Sequence, residues 1–199
     1  MTVFRLVRHG EHVWRARGIL AGRSAGVGLT VEGRAQIAAV GECLAGEEIV
    51  ALYASPLQRT RESAEILAAR LAVPVQCRDD LIELDFGEWT GLTFDEVRQD
   101  RRWEAWRSCR SLAALPGGES MREAQRRTVD ALAELHRTHR RGAVVVVSHG
   151  DVIRAALLFA LGMPLDLYAR IDIDLASIST IEIADFGCRV RRLNERPLR

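Results

Sequence analysis

Two hydrophobic rhythms alternate along this chain, short apolar runs and stretches of helical spacing, and their order predicts an α/β fold built on a mainly parallel sheet. Residues 3–7 are apolar, β-branched and aromatic, broken only by Arg5 and closed by Gly10, which reads as a strand. Residues 49–54 and 74–77 read the same way. Residues 143–147 are apolar at every position, as suits a central strand buried on both faces.

Helical patterns fill the intervals. Thr30 caps a helix through about Leu44, with Ile37, Val40, Cys43 and Leu44 on its apolar stripe and Gly46 ending it. Ser55 is the expected N-cap of the next, with Pro56 as its first residue; this helix runs to about Leu71 and turns Leu57, Ala64, Leu67, Ala68 and Leu71 inward. Thr93-x-x-Glu96 and Ser120-x-x-Glu123 are capping boxes, and the second opens a long helix to about Arg140. Residues 151–161 form a further helix closed by Gly162. Residues 177–184 and 188–193, joined by Asp185-Phe186-Gly187, make a hairpin, and the last six residues are expected to be loose. No repeat or linker interrupts this order. The expectation is one domain over residues 1–199, with a cap insertion at about 92–118 where Trp103 and Trp106 alternate with Arg101, Arg102, Arg107 and Arg110.

Composition narrows the chemistry. The chain has 199 residues, 48% of them hydrophobic, enough for a substantial core. A net charge of +1 gives no electrostatic reason for a nucleic acid or a membrane surface as partner. All 28 basic residues are arginine, so no lysine can hold a phosphate or form a Schiff base. Cys43, Cys77, Cys109 and Cys188 are scattered without metal-type spacing, which implies free thiols, no metal and a reducing compartment. No apolar stretch reaches the ~18–20 residues a bilayer span needs. A strand beginning near residue 3 leaves no room for a cleaved signal, so a cytoplasmic protein is expected. A homodimer is compatible with the pattern, because an apolar helix face serves a core or an interface alike.

Candidate catalytic groups cluster at the strand exits. The first strand runs into Arg8-His9-Gly10, the central strand into Ser148-His149-Gly150, and the strand at 49–54 into Ser55-Pro56-Leu57-Gln58-Arg59-Thr60. In open α/β sheets ligands bind beyond the carboxyl ends of strands. Two histidines and two arginines therefore converge where a ligand would sit.

These segments, with Leu29-Thr30-Val31-Glu32-Gly33, Glu83-Leu84-Asp85-Phe86-Gly87-Glu88-Trp89-Thr90-Gly91 and Pro116-Gly117-Gly118-Glu119-Ser120, resemble the histidine phosphatase superfamily in content and order. The resemblance implies a three-layer α/β/α fold of the phosphoglycerate mutase type. It also implies a metal-independent phosphomonoesterase without cofactor, acting on a small phosphorylated metabolite. His9 would be the nucleophile that carries a phosphohistidine, Arg8, Arg59 and His149 would hold the phosphoryl group with Gly150 beside them, and Glu83 would be the proton donor, with Asp85 and Glu88 as alternatives. Arginine forks match phosphate oxygens, and a neutral imidazole is a competent nucleophile near pH 7.

The sequence departs from the family pattern after Gly10. Glu11-His12 stands where Glu-Thr is usual, and Trp14-Arg15 where Trp-Asn supplies a phosphate contact, so Arg15 is the expected replacement donor, with Arg23 as a further substrate contact. The turn after Glu83 matches the phosphatase branch. A mutase that re-phosphorylates its product and a phospho-ligand sensor of the same fold are the alternative functions.

Overall fold

The all-apolar run lies at the middle of a six-stranded sheet. The protein is described by a computed structural model over residues 1–197. In chain order the elements are β1 (Thr2–Arg8), α1 (Val13–Ala16), α2 (Val31–Leu44), β2 (Ile49–Ala54), α3 (Gln58–Leu71), β3 (Val75–Cys77), α4 (Phe94–Gln99), α5 (Arg102–Ser108), α6 (Met121–Thr138), β4 (Ala143–Ser148), α7 (Gly150–Ala160), β5 (Ile178–Ala184) and β6 (Gly187–Glu195). The strand order is β3-β2-β4-β1-β5-β6. Pairs β1–β4, β2–β4 and β2–β3 are parallel, and only β5 runs against its neighbours.

Every residue of β4 is buried. The pleat sends Val144 and Val146, with Phe4, Leu6 and Tyr53, into a core closed by Ala131, Leu132 and Leu135 of α6 and Ile153, Ala156 and Leu157 of α7. Val145 and Val147 point the other way, with Leu52 and Ala54, against Ile37, Val40 and Leu44 of α2 and Ala64 and Leu67 of α3. Two covered faces make three layers. A third apolar cluster, with Trp89, Trp106, Leu115 and Met121 at its centre, joins the α4–α5 region to α6 and α7. Both predicted capping boxes are formed, at Thr93 and Ser120.

Some local expectations give way to longer-range contacts. α3 begins at Gln58 with Leu57 as its N-cap, not at Pro56, because the Ser55 hydroxyl is taken by His149 2.7 Å away. Cys43 faces solvent on α2. β6 continues through Glu195, so the chain stays ordered past the start of the predicted loose end, and the remainder of that expectation, at 198 and 199, lies outside the described residues. Among the described residues no helix is long and apolar enough to cross a membrane.

Candidate active site

β1 and β4 lie side by side in register, Arg8 opposite Ser148, so their His-Gly exits leave the sheet together. The His9 amide donates to the Ser148 carbonyl at 3.1 Å, and the imidazoles of His9 and His149 stand 5.2 Å apart, edge to face. His9 is 2% exposed. Its Nδ1 lies 2.8 Å from the Gly10 carbonyl oxygen, which can only accept, so Nδ1 carries the proton and the Nε2 lone pair is free. Burial, then the charges of Arg59 and Arg8, hold His9 well below the usual imidazole range and keep it neutral.

Backbone proximity fixes this exit. A Cβ on Gly33 would stand 2.0 Å from the Glu11 carbonyl oxygen, and one on Gly10 2.3 Å from that of Gly33. The Thr30-x-x-Gly33 start of α2 thus clamps the loop carrying His9, with the Thr30 amide donating to the Glu11 carbonyl at 3.0 Å.

Two arginines join the histidines. Arg59, in the first turn of α3, is 1% exposed; its Nη2 donates to the Gly22 carbonyl at 2.7 Å and lies 3.2 Å from His149 Nδ1. Its Nε and Nη1 are buried without a hydrogen-bond partner among the described residues. Burial lowers its pKa to about 10, which still leaves it charged. Arg8 donates from Nη1 to the Ile173 carbonyl at 2.6 Å, and its Nε is likewise unpartnered among the described residues. Gly150 lets this guanidinium lie against the start of α7, where a Cβ would meet Arg8 Cζ at 3.2 Å.

Glu83 completes the group from an irregular stretch between β3 and α4. Its Oε2 lies 3.6 Å from His149 Nδ1, and its Oε1 accepts from the Leu84 amide at 2.9 Å. Burial, reinforced by the negative charge of Asp151 and opposed by Arg59, raises its pKa to about 7. With no sheet ladder to place it, the main chain here is held by side chains. Arg23 Nε and Arg127 Nη2 both donate to the Glu83 carbonyl, at 2.8 and 3.3 Å. Glu119 ties the two together, accepting from Arg23 Nη2 at 2.8 Å and Arg127 Nε at 2.7 Å.

A cavity of about 190 Å³ opens over these groups, lined by Arg8, His9, His12, Arg59 and Glu83 together with Arg15, Phe94, Arg154 and Tyr168. Arg15 is at the rim, its guanidinium 4.9 Å from the centre of the Phe94 ring. Arg23, expected at the substrate, is not in the wall; it is committed to Glu119 and the Glu83 backbone. Of the three candidate acids only Glu83 lines the cavity. Asp85 accepts from the Gly87 amide at 3.0 Å, and Glu88 pairs with Arg102 on the surface at 3.0 Å. Among the described residues no group of three or more His, Cys, Asp or Glu side chains could hold a metal ion.

The profile of the histidine phosphatase superfamily, branch 1, matches residues 4–196. The chain belongs to this superfamily. A bifunctional protein of Mycobacterium tuberculosis is 36% identical over 198 residues, 98% of this chain but 54% of that protein, so the chain spans about half the length of such curated relatives. Phosphoserine phosphatase 1 of Hydrogenobacter thermophilus is 30% identical over 199 residues, covering 98% of this chain and 92% of that protein. Among solved structures, phosphoserine phosphatase from Entamoeba histolytica in complex with 3-phosphoglyceric acid superposes with a TM-score of 0.89 at 26% identity, covering 98% of each chain.

Several residues that the superfamily resemblance did not single out also line the cavity. Asp151, in the first turn of α7, accepts from the Tyr168 hydroxyl and lies 3.7 Å from Arg110, while Tyr168 has the guanidinium carbons of Arg110 and Arg154 3.6 and 4.0 Å from its ring centre. Of the arginines at 101, 102, 107 and 110, Arg110 is the one that turns inward; Arg102 and Arg107 are exposed and pair with acids of their own helix region. His12, visible in the sequence only as a departure from the superfamily pattern, is 5% exposed and 5.2 Å from His9, ring to ring.

Proposed function

We propose that this chain is a metal-independent phosphomonoesterase that hydrolyses a small phosphorylated metabolite through a phosphohistidine on His9. The observation that carries this reading is the His9 ring: its tautomer, set by the Gly10 carbonyl, leaves a free Nε2 lone pair in a cavity lined by Arg8 and the buried Arg59.

In the first half-reaction His9 Nε2 attacks phosphorus and the ester P–O bond breaks. Arg8 and Arg59 take the phosphoryl oxygens on their unpartnered nitrogens, where charge-assisted hydrogen bonds are strong. Glu83, protonated below about pH 7, gives its proton to the leaving oxygen. Nδ1–H stays on the Gly10 carbonyl and shares the positive charge of the phosphoimidazole. In the second half-reaction water attacks phosphorus, the Glu83 carboxylate accepts a proton from it, and the P–N bond breaks. Inorganic phosphate leaves and both residues return to their starting forms.

The similarity to phosphoserine phosphatases supports a phosphomonoester of metabolite size, as does the small cavity. A carboxyl with its pKa raised to about 7, in the wall of the cavity that His9 also lines, favours an enzyme over a sensor, which needs no acid. The test is hydrolysis of p-nitrophenyl phosphate in EDTA by wild type and His9→Ala, with rapid quench for acid-labile phosphoprotein. Wild type should turn over with chelator present and trap the phosphoprotein, and the variant should keep its fold and lose both. More than a few per cent residual turnover in His9→Ala, or loss in EDTA restored by divalent ions, would overturn the reading.

A further inference from the structure

The family pattern places a neutral amide two positions after His12's neighbour Val13, and this chain has Arg15 there instead. Arg15 does not replace it deep in the cavity, since its side chain is exposed at the rim against Phe94. His12 is the buried side chain of the same loop, in the cavity wall with Arg8 and Arg59.

Local structure decides which nitrogen of His12 faces a ligand. His12 is the N-cap of α1, and its Nδ1 lies 3.1 Å from the Arg15 amide. An amide N–H only donates, so Nδ1 accepts and the proton of the neutral ring sits on Nε2. That Nε2–H has no acceptor among the described residues. The ring is neutral because burial, and then the charges of Arg59, Arg8 and Arg15, bring its pKa down to about 3. A neutral donor stabilises phosphoryl oxygens without the repulsion a third cation would exert on Arg8 and Arg59.

We propose that His12 donates from Nε2 to a phosphoryl oxygen of the bound ester, supplying from a different position the neutral contact that Arg15 has removed. This rests on the site being a phosphate site, as the phosphatase reading requires. It assigns His12 to the residues that touch substrate, and it leaves Arg15 at the rim.

His12→Thr separates the two roles of the side chain. Threonine keeps the cap, as Thr30 and Thr93 do on α2 and α4 in this chain, and it removes the Nε2–H. Three measurements follow: inorganic phosphate affinity by calorimetry, kcat/KM for p-nitrophenyl phosphate, and 15N NMR of histidine-labelled wild type with and without inorganic phosphate. The expected result is a tenfold or larger loss in both phosphate affinity and kcat/KM, a melting temperature held within a few degrees, and a wild-type His12 signal protonated at Nε2 that moves when phosphate is added.

Unchanged affinity and turnover in His12→Thr, or a proton found on His12 Nδ1, would overturn the proposal while leaving the phosphatase reading intact. Conversely, a wild type that binds phosphate and shifts the His12 signal without hydrolysing any ester would support His12 as the donor and reject the phosphatase. A wild type that neither binds phosphate nor hydrolyses any ester overturns both. Should the variant fail to fold, the wild-type NMR experiment decides alone.

Discussion

Glu83→Gln tests whether the fold is holding a carboxyl group away from its preferred charge state. Glu83 is 8% exposed, and its pKa moves from an ordinary 4.5 to about 7. At roughly 1.4 kcal/mol per tenfold change in proton affinity, the folded state disfavours the carboxylate by about 3 kcal/mol. Because the folded pKa is the higher one, Glu83's contribution to stability is fully present below pH 4.5 and is lost as pH rises through about 7. Glutamine has the shape of the protonated acid, keeps a carbonyl for the Leu84 amide and does not ionise. The variant should match wild type near pH 4.5 and exceed it by about 3 kcal/mol above pH 7.5. Urea unfolding of both proteins between pH 4.5 and 8 measures the difference directly. His9 and His149, held neutral by burial, titrate alike in the two proteins, so their pH dependence largely cancels. A difference that is flat across this range, or that favours wild type as pH rises, would refute the desolvated-acid account.

The same carboxyl sets a kinetic expectation: with an alkyl phosphate, kcat should fall tenfold per pH unit above about 7, and a flat profile to pH 9 would exclude Glu83 as the acid. Glu119→Gln should loosen the Arg23 and Arg127 forks on the Glu83 backbone and slow alkyl phosphates about tenfold more than p-nitrophenyl phosphate, whose leaving group needs little protonation; equal slowing would show that these forks do not place the acid. Trp106→Ala opens a fully buried site in the cap cluster and should cost about 3–5 kcal/mol in urea unfolding. A loss under 1 kcal/mol would mean the α4–α5 segment unfolds independently of the core.

The layers were legible because they follow from repeating local patterns. The run at 143–147 could be apolar throughout only if both faces of β4 were covered, and the His-Gly ends of β1 and β4 announced where a ligand would meet the sheet. Side chains acting across long sequence separations left no such trace. Ser55 looked like a cap because nothing nearby reveals a partner 94 residues away, and Arg23 looked like a substrate contact because its fork to Glu119 spans 96 residues. The irregular stretch carrying Glu83 shows no periodic pattern for the same reason, since distant arginines rather than a ladder hold it. His12 was visible, but without a role attached to it. A histidine in place of threonine shows in the sequence as a departure only; which nitrogen it presents depends on the Arg15 amide, a contact made in the folded loop.

The unpartnered nitrogens of Arg8 and Arg59 also couple binding to folding. Each is a donor taken out of water with no acceptor among the described residues, a cost the folded state bears and the unfolded chain does not. An anion that fills the site binds only the folded form. By mass action it stabilises the protein by about 2.7 kcal/mol at a hundred times its dissociation constant. The melting temperature thus becomes a reporter of cognate chemistry, readable before any turnover assay exists: among metabolites tried at equal concentration, those that fit both the arginine pair and the cavity mouth will raise it most.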